Sequence, residues 1–285
     1  MARIWFSFLF LTLFHQAFSQ DPVFMEEVNF ARYLEGKKIY KEAILQYRQL
    51  LLLYPESGYA DSFHFSLGKL YEEDLDVENS LFYYGRVSKS GGLLFDESVF
   101  RRLSLLALQK KFSEAETLLS SYLPPENCLK AEYDFWKSSL MLARKDTGVK
   151  FQNSSCKQNN FYKNSLDKHE KMVLSGSKKS PLLAGTLSAL LPGAGKIYAG
   201  KPRQGITSFF PIAFLGVQTW EGYRHKGFDS PRFWVFGSLF SIFYIGNIYG
   251  SAITVRAIKK EENEILQTSI QLDLRLSVRD LFRAK

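Results

Sequence analysis

Apolar and polar positions follow four successive patterns along the chain. Ile4 to Phe14 is apolar except for Ser7 and Thr12, and the basic Arg3 precedes it. That layout predicts a secretory leader over 1–19, with Ala17-Phe18-Ser19 supplying small residues for cleavage before Gln20. From Phe24 the period becomes helical. Ala31 and Leu34 share one helix face, and Ala43, Tyr47 and Leu50 share a face of the next helix after the break at Gly36-Lys37-Lys38. Pro55 closes the pair, and the pattern returns about 37 residues later at Leu67, Gly68 and Tyr71, then Ser80, Tyr84 and Val87. A third copy has Leu103 and Leu106, then Ala115, Leu119 and Tyr122 before Pro124-Pro125. Lys130 to Ala143 predicts a further helix, with Tyr133, Trp136, Leu140 and Leu142 as its apolar positions.

Residues 146–179 are polar and read as a linker or loosely held helix. Three charge-free runs follow: Ser180 to Gly195, Gln204 to Trp220 and Phe233 to Val255, of 16, 17 and 23 residues. A spanning helix needs about 20 apolar residues, so 180–258 predicts a membrane domain with two or three transmembrane helices. In the tail over 259–285, Ile270, Leu272, Leu274, Leu276 and Val278 alternate with polar residues. Strict period two predicts a C-terminal β-strand there.

The paired-helix positions resemble the tetratricopeptide repeat. Ala31, Gly68, Ala43, Ser80 and Ala115 stand where its helices approach closely, while Leu34, Tyr71, Tyr47 and Tyr84 match its gap-filling residues. The resemblance covers about 24–125 and weakens in the third copy, where Leu103 occupies a small-residue place. It implies an all-α solenoid over 20–145 whose groove takes a protein or peptide partner. A second resemblance is to a small bacterial membrane domain marked by Ser-Ala-x-x-Pro-Gly-x-Gly-x-x-Tyr-x-Gly and akin to the two-transmembrane-helix domain. The matching positions are Ser188, Ala189, Pro192, Gly193, Gly195, Tyr198, Gly200 and Gly205; Lys196 stands where many relatives carry Gln. This likeness implies a fold and a bilayer location, and no reaction.

Charge sharpens the division. The formal net charge is +8, and residues 181–260 hold nine basic residues against two acidic ones. Basic residues flanking apolar runs point to a membrane and away from nucleic acid. Lys196, Lys201 and Arg203, and again Arg256, Lys259 and Lys260, favour the cytoplasm. With Pro181, Gly185, Pro192, Gly193 and Gly195, the first run fits a short span, a re-entrant segment or a helix at the interface; an exported N-terminal domain then requires an odd number of crossings, which favours the span. Cys128 and Cys156 are the only cysteines and form a disulfide candidate in an oxidising compartment. Asn153-Ser154-Ser155 fits a glycosylation sequon.

Gly193-Ala194-Gly195-Lys196 fails the phosphate-loop pattern, with Leu190 and Ile197 in place of the required Gly and Ser or Thr. The histidines are scattered, and no metal-ligand spacing or nucleophile motif emerges. The sequence thus predicts a non-enzymatic scaffold without a cofactor. It would be held in the inner membrane of a bacterial envelope, with the repeats in the periplasm. The alternative is a membrane enzyme or transport component that uses the Pro-Gly motif while the repeats recruit substrate. Against it, the apolar runs lack the ionisable residue that proton and ion paths normally require.

Overall fold

The computed structural model describes residues 22–283 apart from 56, 126–127, 149–150 and 152–154. The expected leader and the sequon residues Asn153 and Ser154 lie outside the described residues. The described residues are 82% helical, with no strand among them. It divides into two units: residues up to 140, 151–162 and those from 273 form one, and 141–150 with 163–272 form the other.

The first unit begins with α1 (Pro22–Gly36), α2 (Tyr40–Leu53), α3 (Ala60–Glu73), α4 (Val77–Tyr84), α5 (Leu93–Leu108) and α6 (Phe112–Ser121). Each packs on the next in sequence. One turn recurs between partners. Lys38, Leu75 and Lys110 follow α1, α3 and α5 with left-handed φ of 61°, 62° and 59°. Lys145, φ 66°, does the same after α7 (Cys128–Ala143). The next amide reaches back five residues in every case: Ile39 to Leu34, Asp76 to Tyr71, Lys111 to Leu106 and Asp146 to Met141. This pattern satisfies carbonyls that a helix end leaves bare. A side chain at positive φ costs about 1 kcal/mol, so four non-glycine residues there mark a turn imposed by the packing of the helices around it.

Small residues set how closely the helices meet. Ala31, Ala43, Ser80 and Ala115 are completely buried. A Cβ at Gly68 would stand 2.5 Å from the Tyr84 ring, so only glycine admits that ring. Tyrosines then tie each pair. The Tyr47 hydroxyl donates to Glu35 at 2.9 Å, and 37 residues later the Tyr84 hydroxyl donates to Glu72 at the same distance. Tyr122 bonds Asp96 instead, at 2.8 Å. Burial first, and then the adjacent carboxylate, pushes the Tyr47 hydroxyl well above its usual range.

The second unit holds most of α8 (Asn159–Ser175), then α9 (Pro181–Leu190), α10 (Ala194–Tyr198), α11 (Pro202–Lys226) and α12 (Pro231–Arg283) as far as residue 272. Much of the polar 146–179 stretch is therefore helix, with Leu166 and His169 buried. The 53 residues of α12 rise about 80 Å.

The expected C-terminal strand is corrected, because Ile270 to Val278 lies inside α12. Ile270, Leu274 and Val278 are buried at spacing four, Asp273 and Ser277 are buried beside them, and Leu272 is 57% exposed. The face that packs is helical. It looked like a strand because period two and period four share positions 270, 274 and 278, while Asp273 and Ser277 put polar residues on the buried face.

Candidate functional site

Two constellations stand out, one in each unit. In the second unit the Pro-Gly motif folds α9 and α10 back on one another. Ser180 caps α9, its hydroxyl accepting from the Leu183 amide, and Pro181 suits the first turn because it has no amide to satisfy. The chain breaks at Leu191 and turns at Gly193, where φ of 87° favours glycine. A Cβ at Gly195 would run into the Ala184 carbonyl, and one at Gly193 into the Gly205 carbonyl. A Cβ at Gly205 would stand 2.5 Å from the Ile197 side chain, so the three glycines let α9, α10 and α11 approach closely.

The Ser188 hydroxyl accepts from the Gly195 amide at 2.9 Å and pairs with the Ser251 hydroxyl of α12 at 2.7 Å. The Ser180 amide donates to the Tyr198 hydroxyl at 3.0 Å. Gly200, φ 90°, lies beside the Lys179 ammonium. Ala189 is exposed, and its carbonyl accepts from the Tyr244 hydroxyl; Pro192 sits in the break itself. The motif residues therefore converge on a packing node with no free catalytic group among them. Helix α9 rises only about 15 Å, half of a bilayer core. The first charge-free run is therefore a helix, a break and a return, the shape of the re-entrant alternative rather than of a straight span.

Among the described residues one helix, Pro231–Arg283, is long and apolar enough to cross a membrane. Only 17% of its apolar window is buried. At the α11–α12 turn, Trp220, Tyr223, Phe228 and Phe233 cluster, and the Trp234 indole donates to the Phe228 carbonyl at 2.8 Å. Arg232 bonds Glu221 at 2.6 Å beside them.

In the first unit, Cys128 and Cys156 form a disulfide. Cys128, Glu132 and Trp136 recur at spacing four, one face of α7. Glu132 is wholly buried and takes three donors: the Trp136 indole at 2.9 Å, the Tyr162 hydroxyl at 2.5 Å and the Ser277 hydroxyl at 2.6 Å. Those partners come from α7, α8 and the end of α12, so one carboxyl joins segments far apart in sequence. Burial raises its pKa to about 7, although all three hydrogen bonds pull it down. Phe282 packs near Phe100, with ring centroids 6.3 Å apart, and adds an apolar contact.

The sequence reading missed Glu132, Tyr162 and Ser277. Only the Glu132–Trp136 spacing hinted at the centre, and nothing local linked it to residue 277. No group of three or more His, Cys, Asp or Glu positioned to hold a metal occurs among the described residues. Comparison with family models, with curated proteins and with solved structures finds no match.

Proposed function

We propose that the chain is a membrane-tethered scaffold of a bacterial envelope, whose tetratricopeptide-like helix pairs bind a protein or peptide partner. The observation that carries this reading is the recurring left-handed turn at Lys38, Leu75, Lys110 and Lys145, spaced 37, 35 and 35 residues. A repeated turn with a repeated Tyr–Glu bond is how a stack of equivalent helix pairs is built, and such stacks bind extended partners. Phe30 and Tyr33, one turn apart on α1, are 51% and 57% exposed and supply an aromatic contact surface.

The tether is a hairpin of α11 and the apolar part of α12. Exposed Phe209, Phe210, Phe214, Trp234, Ile242 and Ile245 suit lipid, and the cluster around Trp220 and Phe228 suits a headgroup belt. Two features favour an even number of crossings. Tyr198 returns to Ser180, so α9 and α10 enter and leave on one side. The Ser177 amide donates to Glu262 at 2.8 Å, which brings the chain after the hairpin back beside the chain before it. Residues before 179 and after 260 then share a compartment. The disulfide supports reading that compartment as the oxidising, exported side, which for an inner-membrane protein is the periplasm. The basic residues of 196–203 and 256–260 accordingly lie outside, and the charge-based expectation of cytoplasmic loops gives way. Translocation of a folded domain of this length is little governed by flanking charge.

A photo-crosslinking side chain placed at Tyr33 tests the scaffold in intact cells. The expected result is a discrete protein adduct, lost when Phe30→Ala accompanies it. Adducts absent at Tyr33, or unchanged by Phe30→Ala, contradict the reading.

A further inference from the structure

A groove of about 410 Å³ runs between α9 and α12. Its walls are apolar, with Leu182, Ala189, Ile248 and Tyr249 among them, and Arg256 stands at one end. Gly185 also lines it, and a Cβ there would meet Ile248 at 3.8 Å, an ordinary contact. The groove stays open because Leu182 and Tyr249 point outward, 78% and 64% exposed.

Two properties identify an occupant. From Ile245 to Arg256 the helix rises about 16 Å, half of a hydrocarbon core of about 30 Å. That is the reach of one acyl chain in one leaflet. At the Arg256 end the surroundings are cationic: Lys178 and Lys259 line the adjoining cavity, with Glu262 the acid there, and no acid occurs from 181 to 220. The start of α9 adds the positive end of its dipole at the same level.

We propose that this groove binds one anionic phospholipid, an acyl chain lying along Leu182, Gly185 and Ile248 and the phosphate held at Arg256. The inference rests on the membrane reading above. It gives the basic residues on the exported side a ligand, where the charge rule alone would have placed them inside.

Flotation of the full chain with vesicles of phosphatidylcholine containing one-fifth phosphatidylglycerol tests the membrane reading. Native mass spectrometry of the detergent-extracted chain, titrated with phosphatidylglycerol or phosphatidylcholine, tests the groove. The expected result is one retained phosphatidylglycerol in preference to phosphatidylcholine. Arg256→Gln should lower that preference about fivefold, and Thr186→Trp, an exposed position on the groove wall, should expel both lipids. A chain that floats yet retains the two lipids equally, or whose preference survives Arg256→Gln, overturns the groove assignment and leaves the membrane reading standing. A lipid-free dimer that Thr186→Trp splits into monomers assigns the groove to a second copy and also overturns it. A chain that fails to float removes the membrane reading, and the groove falls with it.

Discussion

The two units use small residues for opposite ends. In the first, Ala31, Ala43, Gly68 and Ser80 bring helices close so that large side chains such as Phe63, Tyr84 and Phe100 can be wholly buried. In the second, Gly193, Gly195 and Gly205 bring backbones together, and the large side chains turn outward. Water drives the first arrangement by rewarding burial of apolar area. Close backbone packing and hydrogen bonds such as Ser188 to Ser251 hold the second, and its exposed large side chains suit the lipid setting proposed for it. One unit thus buries its large apolar side chains and the other leaves many of them exposed, as the proposed membrane setting requires.

The contrast is broken most severely at Gly195. Gly195→Val should destabilise the second unit by about 3 kcal/mol and, on the membrane reading, abolish accumulation in membranes, while the thermal unfolding of the first unit changes little. Accumulation at the normal level would show that the α9–α10 contact is not structural. Next comes the disulfide. Cys128→Ser should lower stability by about 3 kcal/mol in the chain-entropy account, read as a Tm drop that a reductant reproduces in the parent and does not enlarge in the variant.

A comparable effect attaches to pH. The Glu132 carboxyl titrates near 7 when folded and near 4.5 when unfolded. Between those values the folded chain holds the extra proton, so its stability falls as pH rises from about 4.5 to about 7 and then levels off. The loss is about 3 kcal/mol. Glu132→Gln has no proton to lose, so thermal melts of parent and variant should run in parallel below about pH 4.5 and diverge progressively from there to about pH 7, the parent falling relative to the variant. Profiles parallel throughout would contradict the assignment.

Smaller effects sharpen the picture of the repeats. Tyr84→Phe removes the bond to Glu72 and should cost about 1 kcal/mol, with Tyr47→Phe alike if the two pairs are equivalent. Smallest of all, Leu272→Asp should change stability by less than about 0.5 kcal/mol, whereas Leu274→Asp should unfold the tail. Equal damage from the two would restore the strand.

Much of the helical layout was legible, because buried residues there recur at the helical period and the turns carry their own punctuation. Leu34, Tyr47 and Leu50 lie in the core as their spacing predicted. Two features were not legible. The end of α12 hid its face because Ser277 is buried for a hydrogen bond to Glu132, a partner 145 residues away that no local pattern encodes. The run from Ser180 to Gly195 reads as a span, a re-entrant segment or an interfacial helix, because apolar length alone cannot distinguish a straight helix from a helix that turns. The left-handed Gly193 is what reverses it. Of the motif positions, Ser188 and Gly195 meet through a hydrogen bond and Tyr198 bonds Ser180, contacts that pack the helices together.

The account turns on where the chain goes after the hairpin. Reporter fusions after residues 150, 200, 226 and 285, read for compartment in intact cells, measure it directly. The account predicts that 150, 200 and 285 report the exported side and 226 the cytoplasm. A cytoplasmic report at 285 with an exported one at 150 would contradict it, because Ser277 could then no longer reach Glu132.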